Sequence, residues 1–409
     1  MICAILAVFA VAAPFEKVAL IDDLDYAHMP WPHDIETKEG VEAVVRNALK
    51  CGATRVFWRS QQGALPRYPN VGEARPFPEN PIDKRRAACT SRRDSYGAWV
   101  NYTTGNVRTI ATAAAYCREQ GVGFGLHYPI EHNHFNLFFF SGWNFDRPEY
   151  WCKLGSGAPW PGRVSHAYPE VRRHSASMIL ESMRDFEGGV FYCDTFRSGA
   201  WTPAFEHVAP VEARWRELHP GEPVPSNGEE WCKVVTEFEN RWYRGLSRLA
   251  RQKGREFWLT IDFVRPDGSD HTFRARGFEW EKLLAEGALD AVVVASMLPD
   301  KKDLWGSTER AYRAIMGKVG GRAKVYFPVM AYNIGRTRPG FKQYAEWSGL
   351  SQPEAATRLM ELAVQVGGAG VVLECVDISN YPDDVCRTIA AFRASECNQN
   401  ECSTETSPR

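Results

Sequence analysis

Eight short runs rich in β-branched and aromatic residues recur along this chain, each followed by a segment with helical periodicity. The runs are Val18–Leu24 (VALIDDL), Arg55–Ser60 (RVFWRS), Val122–Tyr128 (VGFGLHY), Val190–Cys193 (VFYC), Phe257–Phe263 (FWLTIDF), Ala291–Met297 (AVVVASM), Lys324–Ala331 (KVYFPVMA) and Gly370–Val376 (GVVLECV). Between the first two, Val41, Val44, Val45, Ala48 and Leu49 fall on one helical face of Thr37–Cys51, and Gly52 stops it. Comparable faces carry Ile110, Ala114 and Cys117, then Met178 and Met183, then Val234, Phe238, Trp242 and Leu249. Further helices are expected near Phe278–Leu289, Thr308–Val319, Pro353–Val366 and Asp383–Ala394. Strands apolar throughout are covered on both faces, which implies parallel pairing through helical crossovers. Eight such units predict an α/β fold, a closed (β/α)₈ (TIM) barrel rather than an open doubly wound sheet. No glycine-rich phosphate loop opens any of the helices, against a nucleotide-binding fold.

The 409 residues suffice for one large barrel and offer no convincing second domain. Residues 1–13 contain an apolar stretch, Ile2–Val11, before Ala12-Ala13-Pro14. They read as a signal peptide without the usual basic start, too short to span a bilayer, so a secreted or periplasmic protein is expected. The barrel is expected over residues 14–395, with a polar, disordered tail at 396–409. The formal net charge of −1 offers no basic footprint for nucleic acid or an anionic membrane. The eleven cysteines show no CxxC and no zinc spacing; Cys397 and Cys402 in the tail are the favoured disulfide pair. Nothing in the sequence calls for a cofactor.

Barrel active sites sit at the carboxyl ends of the strands, and here those ends are polar. The first strand runs into Asp22, Asp23 and Asp25, the second into Arg59 and Gln61, the third into His127 and Tyr128. The fourth stops at Asp194 with Arg197 beside it, the fifth holds Asp262, the sixth Ser296, the seventh Tyr332 and Asn333, the eighth Glu374 and Asp377. The opposite ends are read as carrying few such groups. The loops after strands two, three and four are long, and they open on this same face. Several carboxylates around one mouth repel one another's ionisation, which separates them into acid and base roles. Glycoside hydrolysis uses such a pair. Fourteen tryptophans, many in Gly/Pro-rich loops, suit stacking on the apolar faces of sugar rings.

Two other constellations compete. His127, Glu131, His132 and His134 invite a zinc or iron site, although no HEXXH spacing is present. The Asp22–Asp25 string lacks the glycine and closing glutamate of a calcium loop, and Asn101-Tyr102-Thr103 is a sequon too common to decide anything.

With these strand ends in view, the chain resembles glycoside-hydrolase-like (β/α)₈ barrels over about residues 15–395. In the α-galactosidase-like clan an aspartate closing strand four is the nucleophile, and Asp194 in FYCD stands at the matching position. That clan's acid/base aspartate follows strand six, where this chain has Ser296, with Asp300 only beyond it. The resemblance therefore implies Asp194 as nucleophile and leaves the second catalytic residue open among Asp262, Glu374 and Asp300. The expected function is cleavage of a glycosidic bond in an oligo- or polysaccharide, with Asp194, Asp262 and Glu374 as catalytic candidates. Asp23, Asp25, Arg59, His127, Tyr128, Arg197 and Tyr332 would contact sugar hydroxyls or orient the nucleophile, and Trp31, Trp143 and Trp201 would stack on the rings. The rivals are a metal-dependent hydrolase built on the histidine group and a non-catalytic sugar-binding barrel.

Overall fold

The computed structural model describes residues 14–21, 37–62, 65–66, 109–128, 143, 146–185, 189–193, 202–329, 340–374 and 381–394. Eight strands form a closed barrel: β1 Glu16–Ile21, β2 Arg55–Arg59, β3 Gly123–Tyr128, β4 Val190–Cys193, β5 Glu256–Ile261, β6 Ala291–Val294, β7 Lys324–Pro328 and β8 Gly370–Glu374. Each pairs in parallel with its neighbour in sequence, and β8 closes on β1 with Leu20 opposite Glu374. This is the (β/α)₈ barrel expected from the alternation of apolar runs and helical segments.

The described helices are α1 Lys38–Lys50, α2 Thr109–Glu119, α3 Pro169–Asp185, α4 Ala209–Leu218, α5 Glu229–Gln252, α6 Thr272–Arg276, α7 Trp280–Ala285, α8 Leu304–Val319, α9 Phe341–Ser348, α10 Gln352–Gln365 and α11 Asp383–Ala391. Their starts follow local chemistry. Thr37 caps α1 by accepting from Gly40 N at 3.1 Å, and Ser351 and Glu354 form a reciprocal capping box on α10. Three short helices, α4, α6 and α9, were not legible in the hydrophobic pattern. Strands β5 and β6 stop two or three residues before their apolar runs do, at Ile261 and Val294.

Alternation divides the strand residues between two compartments. Val18, Leu20, Phe57, Val190, Tyr192, Trp258, Val293, Tyr326 and Val372 fill the interior, while their neighbours in sequence pack against the helices. Four aromatic rings plug the middle of the barrel. Phe57 lies 5.3 Å from Tyr192 and 5.4 Å from Trp258 between ring centroids, and Trp258 stacks on Tyr326 at 4.4 Å. Gly125 on β3 makes room for them: a Cβ there would fall 2.5 Å from Phe57 Cε1.

The amino ends of the strands are more charged than the sequence reading allowed. Arg55 Nε donates to Glu16 Oε2 at 2.9 Å, Lys324 Nζ to Glu256 Oε1 at 2.8 Å, and Trp258 Nε1 to Glu256 Oε2 at 2.8 Å. Buried Lys17 donates to the Ala390 and Phe392 carbonyls at 3.2 and 3.1 Å. These residues escaped notice because each opens its strand, ahead of the apolar core of the run. Both ends of the barrel are therefore polar, and at this end Glu16 pairs with Arg55 and Glu256 with Lys324.

The long connection between β3 and α3 carries an antiparallel hairpin, Trp151–Lys153 with Pro159–Val164. With α4 and the first half of α5 it builds a second core around Cys152, Val208, Val211, Trp215, Trp231 and Phe238. Beneath it lies a buried polar knot. Arg163 donates to Glu239 Oε1 at 2.7 Å, while Cys152 Sγ and Ser165 Oγ donate to the two oxygens of Glu206 at 3.1 and 2.5 Å. Trp58, Trp143, Trp215, Trp231, Trp242, Trp258 and Trp280 are all buried. Much of the tryptophan surplus thus serves packing, while Trp31, Trp99 and Trp201 lie outside the described residues.

A disulfide joins Cys51, at the end of α1, to Cys386 on α11. It links the first and last helical units across 335 residues of chain. The spacing of cysteines in the sequence carried no sign of it, because only barrel closure brings the two helices together. Cys397 and Cys402 lie outside the described residues. No described helix is long and apolar enough to cross a membrane.

Candidate active site

Three interior-facing side chains reach the carboxyl end of the barrel one alternation step beyond the aromatic plug. Arg59 follows Phe57 on β2, His127 follows Gly125 on β3, and Glu374 follows Val372 on β8. Arg59 and His127 are register partners, and His127 is in turn opposite Tyr192. All three are almost completely buried. The His127 ring is held by Nε2, which donates to the Ile21 carbonyl at 3.1 Å, so the proton on that nitrogen is committed to the end of β1. Ser60, just after Arg59, ties β2 to β3 through its N–H to the His127 carbonyl at 3.0 Å. Tyr192 OH donates to Thr260 Oγ1 at 2.8 Å, and Thr260 passes its own proton to the Cys193 carbonyl at 3.3 Å. That hydroxyl chain pins the end of β4 to β5, immediately before Asp194.

Asp262 follows the last residue of β5 and is wholly enclosed, at 0% exposure. Its Oδ1 accepts from Ser296 Oγ at 2.7 Å and its Oδ2 from Arg276 at 3.0 Å. Its backbone is fastened as well, with N donating to Thr272 Oγ1 at 3.2 Å and its carbonyl accepting from His271 N at 3.3 Å. The next residue, Phe263, has φ 53°, a left-handed conformation unfavourable for a bulky aromatic residue. Its N–H donates to Ser296 Oγ at 2.9 Å, so Ser296 serves both the carboxylate and the strained turn. A general acid needs a substrate oxygen within hydrogen-bond reach; this carboxylate already has both oxygens engaged inside the protein. Arg276, which the sequence reading missed, comes from α6. No spacing in the sequence links it to Asp262, and the loop after β5 must fold back before the two meet.

Tyr128 sits at the end of β3 on the side opposite His127. Its ring is edge-on to Phe191 at 4.6 Å, in the core between strands and helices. Trp143 is 7% exposed, stacked on His174 at 3.9 Å between ring centres, with the Arg147 guanidinium 4.7 Å from its own centre. Little of its ring is left for a ligand. Asp23, Asp25, Trp31, Asp194, Arg197, Trp201 and Tyr332 lie outside the described residues, as do Glu131, His132, His134 and Asp377. Asp300 caps the turn Lys301–Asp303, accepting from Lys302 N at 2.9 Å. Among the described residues, no three His, Cys, Asp or Glu side chains converge as a metal ion would require.

No protein-family model matches the sequence, and no curated protein matches it. Solved structures do. The catalytic domain of β-amylase from Paenibacillus polymyxa superposes with a TM-score of 0.59, over 95% of this chain and 100% of that one, at 9% identity. The pneumococcal virulence factor StrH gives 0.48 over 97% and 89% of the two chains at 12% identity. An α-galactosidase from Geobacillus stearothermophilus gives 0.45 over 94% and 41% at 9% identity. At such identity the likeness is one of fold: this chain shares the (β/α)₈ barrel of the β-amylase domain.

Proposed function

We propose that this protein is an exported glycosidase that cleaves an oligo- or polysaccharide with a carboxylate pair at the carboxyl end of its barrel. The observation that carries the reading is the convergence of Arg59, His127 and Glu374 on the interior of one barrel mouth, on the face where such folds build active sites. Glu374 is assigned the proton donor, in preference to Asp262, whose two oxygens are taken by Ser296 and Arg276. Asp194 is assigned the nucleophile or, in an inverting enzyme, the base that activates water. It follows the last residue of β4 in sequence, two positions after interior-facing Tyr192. Asp262 then acts as a positioning residue that sets the path of the chain leaving β5. Arg59 and His127 orient the nucleophile and the sugar hydroxyls. The Cys51–Cys386 disulfide favours maturation in an oxidising compartment, as export requires.

The test is a panel of polysaccharides and aryl glycosides assayed with the wild type and with Asp194→Asn and Glu374→Gln. Loss of turnover by at least about a hundredfold on unactivated saccharides in both variants, and on aryl glycosides in Asp194→Asn, supports the assignment. Full activity in both overturns it, and glycan binding without turnover on any substrate replaces it with the sugar-binding reading.

A further inference from the structure

A second cleft, of about 220 Å³, runs along α5 against the segment Glu279–Lys282. Its α5 side is a single helical stripe: Lys233, Thr236, Asn240, Arg241 and Arg244. No aromatic side chain lines it, and its four cations outnumber its two acids, Glu237 and Glu279. Most of the charges are already spoken for. Glu286 grips Arg244 with both oxygens, Arg214 grips Glu237, Glu230 takes Lys233 at 2.6 Å, and Lys282 lies 3.9 Å from Glu279. Exposed Arg241 is the exception, since it forms no ion pair with any described residue and rests its guanidinium on Phe238 at 5.4 Å. Burial, and then repulsion by the nearby Arg241 charge, lower the Arg172 pKa.

The buried groups lining the cleft carry the argument. Thr236 is 3% exposed and Asn240 1%. Neither Thr236 Oγ1 nor Asn240 Nδ2 has a hydrogen-bond partner among the described residues. The amide orientation is settled, because Asn240 Oδ1 accepts from Glu279 N at 3.0 Å and leaves the NH₂ group as the spare donor. A buried donor left without a partner is costly, and an acceptor in the cleft would relieve it. Two neutral donors and a guanidinium without an ion pair among the described residues suit a compact, multiply accepting anion. The volume falls below the ~300 Å³ at which pockets for drug-sized ligands begin, so an oligosaccharide is too large.

We propose that this cleft binds an oxyanion of the phosphate or sulfate class, free or carried on a single sugar ring, through Thr236, Asn240 and Arg241. The site stands apart from the glycosidase reading and does not depend on it. The test titrates the full chain with sodium phosphate and sodium sulfate by calorimetry, against sodium chloride at matched ionic strength. Saturable binding is expected for the oxyanions only, weakened about tenfold or more in Arg241→Gln and in Asn240→Asp. The second variant keeps the acceptor for Glu279 N and places a negative oxygen where the NH₂ group stood. Should Asn240→Asp fail to fold, Arg241→Gln, altered at an exposed position, decides alone. Glucose 6-phosphate separates the sources: tighter binding than inorganic phosphate supports a sugar-borne group, and equal binding supports the free ion. The proposal is overturned if chloride reproduces the heat, if the variants bind like the wild type, or if methyl glucoside binds as well as phosphate.

Discussion

Arg276 and Asp262 stand 3.0 Å apart and fourteen residues apart in sequence, and both side chains are buried. The pair joins α6 to the end of β5 at the point where the backbone turns through Phe263 at φ 53°. Removing one partner of such a pair leaves a charge alone in the interior, which typically costs about 3–5 kcal/mol. Arg276→Met is therefore expected to lower the free energy of urea unfolding by that amount. Asp262→Asn/Arg276→Met should recover part of the loss, since neither side chain is then charged. Equal losses in the single and double variants would show that the charge pairing is not what holds this turn.

Glu374→Gln and Asp194→Asn are expected to respond differently to the leaving group. Without its proton donor, the enzyme should still cleave aryl glycosides whose phenol departs without protonation, while losing activity about a hundredfold or more on unactivated sugars. Without its nucleophile it should be inactive on both. Rates for the two variants across a series of phenols of falling pKa check the assignment, and a flat profile for Glu374→Gln speaks against it.

The Cys51–Cys386 bond ties the first helical unit to the last around a loop of more than three hundred residues. Cross-links that close long loops restrict the unfolded chain most, and removing a native one typically costs about 2–5 kcal/mol. Cys51→Ala/Cys386→Ala, or the wild type under a strong reductant, should unfold at correspondingly lower denaturant. Cys117, Cys152, Cys193 and Cys232 are buried thiols outside the disulfide, so labelling with a thiol reagent should be slow until the protein unfolds.

His174 supplies a pH dependence with a definite sign. Burial first, and then the nearby Arg147 charge, lower its pKa from 6.5 to about 4. The unfolded chain takes up the proton between pH 6.5 and 4 while the folded one does not, so stability falls as pH falls through that window and levels off below it. The full effect of this one residue is on the order of 3 kcal/mol. His174→Phe keeps a flat ring against Trp143 and should flatten the stability profile between pH 6.5 and 4, as measured by urea unfolding at each pH.

Gly125 tests the aromatic plug. An alanine Cβ would press on the Phe57 ring, which is itself wedged between Tyr192 and Trp258. Gly125→Ala is expected to destabilise the protein by about 1–3 kcal/mol, and Gly125→Ala/Phe57→Leu to lose less than the two single variants together. Additive losses would mean that the two positions do not share one space.

Periodicity determined the barrel. An apolar run such as Val190–Cys193 can only be buried on both faces, and eight of them separated by amphipathic helices leave few other ways to cover them. The same alternation, carried to the strand ends, pointed to Arg59, His127 and Glu374. It is silent where a contact depends on residues distant in sequence. Asp262 reads as one more acid at a strand end, and only the return of α6 brings Arg276 over to engage it. Glu16, Arg55, Glu256 and Lys324 read as the polar margins of apolar runs, and closure of the sheet turns them into an ion-paired floor. Cys51 and Cys386 sit in unrelated helices until β8 pairs with β1. Hydrophobic pattern is local and survives in the sequence, whereas charge pairing, cross-linking and the facing of a side chain are properties of neighbours that only the folded chain supplies.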